Sequence, residues 1–288
     1  MSLLALALVF AAALLHATWN LLAKRSGGGL GFVYLTGLIN LVLYAPFLLG
    51  YWWWRHPVLP AAAVLWIAGS GLLKAAYALF LQKSYSTGDL SLIYPLARGT
   101  GPILSTLAAI CLLGERPTPL ALAGGAVIVA SIFFLAGGPS IFSQRASDQR
   151  VAIGYGLVTG GFIAAYTVWD RHGVASLVIA PLVYDAGTTL TGVLLLAPFA
   201  AGRWPEVKRQ WREHRVDAAA VAGLSSISYI LVLTALAVTP VSYIAPVREV
   251  SIVIGAFIGA RRLKEAESHR RIIAAAAIAV GILIMAAA

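Results

Sequence analysis

Apolar runs of about twenty residues, each long enough to cross roughly 30 Å of hydrocarbon as a helix, recur along the chain with short polar breaks between them. Ten membrane helices are predicted, over residues 3–23, 31–53, 61–82, 90–113, 118–137, 152–170, 176–200, 217–238, 241–260 and 271–287. The tightest junction is Thr239-Pro240, between the eighth and ninth spans. The longest connections, near 138–150 and 202–216, are predicted to be loops too small to fold alone. The first run could serve as a secretory leader, but its basic residues Lys24 and Arg25 follow the apolar stretch instead of preceding it, so a membrane helix is expected.

Within the spans the polar positions fall on stripes. Ser91, Tyr94, Arg98, Gly101 and Ser105 are spaced 3, 4, 3, 4 and share one face of span four, while the other faces carry Leu, Ile and Ala. Similar spacing joins Ser70, Lys74 and Tyr77 in span three, and His16 with Trp19 or Asn20 in span one. Thr159, Tyr166 and Trp169 follow it in span six, Ser225 and Tyr229 in span eight, and Arg248, Ser251, Gly255 and Gly259 in span nine. Small residues on such stripes, such as Gly156 and Gly160, are expected to let helices approach closely. Large Tyr, Trp and Arg side chains do not serve close approach, and point to a polar interior.

Composition agrees with the membrane reading: 60% of the 288 residues are apolar and 11% are charged. The net charge of +10 would suggest nucleic acid in a soluble protein, but its distribution encodes orientation. With the amino terminus outside, the cytoplasmic connections hold fifteen Lys and Arg residues and the opposite ones hold three, Arg55, Arg116 and Arg171. Both termini are therefore expected on the outer, periplasmic side of the cell's inner membrane. The single cysteine, Cys111, excludes an internal disulfide and is expected to serve packing.

Three cations remain inside the spans, Lys74, Arg98 and Arg248, together with Asp185 and Glu249. An ionised side chain at mid-depth costs about 2.5–3.5 kcal/mol on insertion scales, so each needs a cavity, a partner or the bundle interior. An internal ion pair that fixes packing is the bland alternative. Three cations against two anions favour a cavity. Pro95 and Pro102 are expected to interrupt span four beside Arg98, with Glu249 or Asp185 holding one arginine when the site is empty.

Two correspondences suggest an internal repeat. "WNLLAK" ends span one and "YTVWDR" ends span six; seventeen residues lead from Arg98 to Glu115 and seventeen from Arg248 to Glu265. Residues 1–138 and 151–288 are therefore expected to be two five-helix repeats joined by a linker at 139–150 within one membrane domain. Five is odd, so the second copy enters the membrane upside down.

On these residues the chain resembles the drug/metabolite transporter superfamily, in its EamA-type branch. The motifs are "HATWNLLAK", "SLIYPLARGTGPILSTLAAICLLGERPT", "AAYTVWDR" and "VSYIAPVREVSIVIGAFIGARRLKE", although the second half has "LKEAE" where the first has "GERPT". The resemblance implies an all-α protein of ten helices in two inverted repeats around a central cavity bounded by spans one, three, four, six, eight and nine. It also implies a secondary transporter working by alternating access, exporting small metabolites such as amino acids, among them the aromatic ones exported by relatives of the YddG type. The expected cavity residues are His16, Trp19, Asn20, Lys74, Tyr77, Ser91, Tyr94, Arg98, Tyr166, Trp169, Tyr229, Arg248 and Glu249. The aromatic rings offer flat apolar surface, the cations could receive a carboxylate and Glu249 an ammonium group. Trp52, Trp53 and Trp54 are expected to be membrane-interface anchors instead.

A nucleotide-sugar or organophosphate antiporter would use the same cations on phosphate. A membrane-embedded enzyme is the more distant alternative: Asp170, Arg171 and His172 are adjacent, but neighbouring helical residues do not share a face. The five histidines are scattered, and no nucleophile-base spacing, metal quartet or phosphate loop occurs. The expectation is therefore no enzyme, no catalytic residue, no metal and no cofactor. The expected partners are a small-molecule substrate and the lipid bilayer, without nucleic acid, and a monomer is sufficient.

Overall fold

Prolines and capping groups decide where the helices begin. The computed structural model describes residues 1–26, 29–87, 90–136, 149–252, 254 and 268–288, and leaves outside it the side chains of Lys24, 82–96, 135–136, 149–153 and 268–272. The helices are α1 (Leu3–Arg25), α2 (Leu30–Arg55), α3 (Ala61–Thr87), α4 (Leu90–Leu113), α5 (Pro119–Ala136), α6 (Gln149–Ala175), α7 (Pro181–Ala201), α8 (Trp204–Val238), α9 (Val241–Arg248) and α10 (Ser268–Ala286). Among the described residues all regular structure is helical. Five of the described helices, α1, α2, α3, α7 and α8, are long and apolar enough to cross a membrane. Shorter apolar stretches lie at 97–113, 119–134 and 273–286.

Pro181 and Pro205 occupy the first turns of α7 and α8, where a missing N–H costs nothing because the first amides have no helical partner. Thr239, held extended ahead of Pro240, separates α8 from α9. The amides opened at the start of α9 are capped from across the fold: Glu115 accepts from the N–H of Val241 at 2.7 Å, and from the N–H and hydroxyl of Ser242 at 2.9 and 2.7 Å. The short turn between α4 and α5 is thereby tied to the other half of the chain.

The structure corrects five expectations. The predicted loop at 202–216 is mostly helix, because Val207 and Gln210, one turn apart, are buried on one side of it. Val207 packs with Phe32 and Leu35, while Gln210 donates to the carbonyl of Ser26 at 3.3 Å. Span six continues to Ala175 instead of ending at 170, which draws Asp170 into the interior. Span four is not interrupted: α4 is continuous through Pro95 and Pro102, since a proline removes one helical hydrogen bond and neighbouring helices support the rest. Span nine is interrupted instead at Glu249, a turn position just past the end of α9 at Arg248, where the Glu249 N–H donates to the carbonyl of Pro246 at 3.1 Å; helix resumes at 250–252. Finally, Cys111 is exposed and does not serve packing. Gly255, Gly259 and Glu265 lie outside the described residues.

Helix packing is paired across the two halves of the chain. α1 lies on α8 and α6 on α3; α2 lies on α8 and α7 on α3; α5 lies on α10 and α2 on α7. Exchanging the first five helices with the last five maps this set of contacts onto itself. α4 packs most extensively on α6, where Gly101 and Gly160 sit too close to Ile163 and Thr100 to accept a side chain.

Candidate functional site

Among the described residues six charged side chains meet in the helical interior in two clusters, each joining the first half of the chain to the second. The first is built on α3, α6 and α7. Asp170 is 0% exposed and lies 3.2 Å from the Lys74 ammonium, which is 22% exposed. Hydroxyls of Ser70, Tyr184 and Tyr229 all donate to the same carboxylate. Lys74 also lies 4.0 Å from Asp185, donates to Thr188 at 3.2 Å and sits 4.2 Å above the centre of the Tyr229 ring. Asp185 takes the hydroxyl of Tyr44 from α2. One ammonium thus stands between two carboxylates.

The second cluster has the opposite balance. Glu249, just past α9, directs one oxygen at Arg98 Nε at 2.8 Å and the other at Arg248 Nε at 3.9 Å. All three are buried. Arg98 also donates to Ser251 at 3.0 Å, and Arg248 reaches the hydroxyl of Tyr166 at 3.5 Å. Tyr166 and Tyr229 then touch edge to face, 6.4 Å between ring centres, and connect the clusters. Counted together these six described charges balance, yet one cluster carries an excess of positive charge and the other an excess of negative charge.

A cavity of about 180 Å³ lies between α2, α3 and α7, with Lys74, Asp185 and Thr188 among its polar lining and Val33, Tyr34, Val193 and Leu196 among its apolar lining. Its α2 residues belong to the first turns of that helix and Val193 and Leu196 to the last turns of α7, so it extends toward the α1–α2 and α7–α8 connections.

Of the predicted residues that are described, Lys74 lines this cavity and the others do not. Arg98, Arg248, Glu249 and Tyr166 are brought together in the second cluster, and Tyr229 serves Asp170. Tyr77 packs edge-on against Tyr166 at 5.8 Å. Trp169 is occupied by Trp66: the rings stack at 4.1 Å, and each indole N–H donates to the other's backbone carbonyl at 2.8 Å. His16 contacts Trp19 at 4.7 Å, and the Asn20 amide donates to the carbonyl of His16 within its own helix. The side chains of Ser91 and Tyr94 lie outside the described residues.

Sequence reasoning missed Asp170, and with it the charge balance: among the described residues three interior cations, of which Lys74 is partly exposed, face three buried anions, not two. Tyr44, Ser70 and Tyr184 were missed as partners of the two carboxylates, and Thr188 as a partner of Lys74. A signal existed. Asp170 follows Tyr166 by four residues on the same helical stripe, and Asp185, Thr188 and Gly192 repeat at 3 and 4 along α7.

Among the described residues the fold is all-helical, and its long apolar helices define a membrane protein. Residues 3–137 match the EamA-like transporter family. A solved structure titled only "Crystal structure of protein" superposes with a TM-score of 0.74 at 19% identity over 98% of each chain, a likeness of fold. No curated protein sequence matches this one.

Proposed function

We propose that the whole chain is a secondary transporter of the drug/metabolite superfamily that exports small metabolites by alternating access, with amino acids, aromatic or of broad range, as its substrates. The observation that carries this reading is the sharing of Glu249 by two buried arginines, Arg98 and Arg248, one from each half of the chain. A substrate carboxylate arriving there would neutralise the excess positive charge, and Tyr166 and Tyr77 supply aromatic surface beside it. The paired helix packing supports two inverted five-helix repeats, 1–138 and 151–288, rocking about the charged interior. The loop charge supports both termini on the outer side of the inner membrane.

Thermal unfolding of the purified protein in the presence of amino acids, nucleotide sugars and organophosphates tests the substrate class, because a ligand held by the folded state raises its apparent stability. Amino acids should raise the midpoint, and proteoliposomes should then exchange the same amino acid without ATP. Stabilisation by phosphorylated compounds alone would move the reading to the antiporter. A requirement for ATP hydrolysis by the protein would remove secondary transport.

A further inference from the structure

The first helical stretch of α8, Trp204–Glu213, stands apart from the membrane-crossing part of that helix, because His214 leaves helical geometry at φ −131° and ψ 22°. Its buried side is occupied by Val207 and Gln210. Glu206 is occupied too, accepting the N–H of Gly31 at 3.4 Å at the start of α2. These contacts fix which side faces away from the protein. On that side Trp204, Lys208 and Trp211 follow one another at spacings of four and three, with Arg212 one turn beyond Lys208. The two indoles are 45% and 51% exposed, and Arg203, Lys208, Arg209, Arg212 and Arg215 are all exposed.

We propose that this face of α8 is a docking surface for the anionic phospholipid headgroups of the membrane in which the protein sits. The charge is complementary: five basic residues occur in the stretch 203–215 against two acidic ones, Glu206 and Glu213, and Glu206 is turned toward α2. A guanidinium fork matches phosphate oxygens in pairs. Indoles settle where acyl chains meet headgroups, with the ring apolar and the N–H wet. A free phosphate would use the cations and leave the tryptophans in water. A lipid uses both, so lipid is the partner that fits the whole face.

The test places the protein in nanodiscs of phosphatidylcholine, with or without phosphatidylglycerol. Phosphatidylglycerol should raise the thermal midpoint of the natural protein, and Lys208→Gln/Arg209→Gln/Arg212→Gln should lose most of that gain. Soluble glycerol 3-phosphate should give none. Brominated phosphatidylglycerol should also quench tryptophan emission more than brominated phosphatidylcholine, and Trp204→Phe/Trp211→Phe should abolish the difference; this second measurement decides the matter if the triple variant does not fold. The proposal is overturned by an undiminished lipid effect in the triple variant, by an equal effect of glycerol 3-phosphate, or by quenching that ignores the headgroup.

Discussion

Lys74 of α3 and Asp170 of α6 form an ion pair 3.2 Å apart, in which the carboxylate is sealed from solvent and the ammonium edges a cavity. Asp170 accepts from three hydroxyls besides the lysine, so its removal strands four donors at once. Asp170→Ala should cost roughly 3–5 kcal/mol, the scale for breaking a buried pair and leaving one charge behind. Removing both charges by Lys74→Met/Asp170→Leu should cost less than Asp170→Ala alone. Chemical denaturation in detergent compares the variants; a double variant less stable than the single one would show that the pair is not the unit.

Glu249 is shared by two arginines, which makes the members of that cluster unequal. Arg98→Gln leaves Glu249 beside Arg248, whereas Glu249→Gln leaves two buried guanidiniums facing each other. Glu249→Gln should therefore lower the thermal midpoint more than Arg98→Gln does, and Arg98→Gln/Glu249→Gln should recover part of the loss. Both single variants should abolish ligand-induced stabilisation. Equal midpoints for the two singles would mean that Arg248 does not depend on Glu249.

Glu115 caps α9 with two backbone amides and a hydroxyl. Glu115→Ala should destabilise the protein by about 0.5–2 kcal/mol, the range for losing a capping side chain. Glu115→Gln, which keeps one acceptor oxygen, should lie between Ala and the natural residue. Thermal midpoints of the three proteins in one detergent order them.

The cavity beside Lys74 leads toward the α1–α2 and α7–α8 connections, the set rich in Lys and Arg. With Cys111 replaced by serine, Thr189→Cys in the cavity lining should react with a membrane-impermeant thiol reagent from the cytoplasmic face of oriented vesicles and resist it from the other face. Modification from the outer face would contradict the proposed orientation.

Much of this was legible along the chain because a bilayer imposes simple rules. A helix must be about twenty apolar residues long to cross, and a charge within it must find a partner. Hence α1, α2, α3, α5 and α7 begin or end within a few residues of the predicted bounds, and Lys74, Arg98, Arg248 and Glu249 stand out as interior charges by their place in the apolar spans alone. The errors arose where tertiary contact overrode local pattern. The stretch 204–213 has the charge of a loop, but helix α2 gives Val207 and Glu206 something to pack on and to cap. Asp170 has the position of a span-end residue until α3 and α7 supply its donors.

The sequence by itself determined the solvent, the rough placement of most of the described helices, and which side chains are costly in lipid, since hydropathy and charge act over single segments. Tertiary structure alone decided the partners: that Lys74 stands between Asp170 and Asp185, that Glu249 bridges Arg98 and Arg248, and that Glu115 caps a helix 126 residues away. An ion pair is a matter of a few ångströms between side chains on different helices, and Coulomb attraction and hydrogen bonding at that range depend on how the helices pack. Periodicity along one helix can place a charge on a face, but the residue that answers it belongs to another part of the chain.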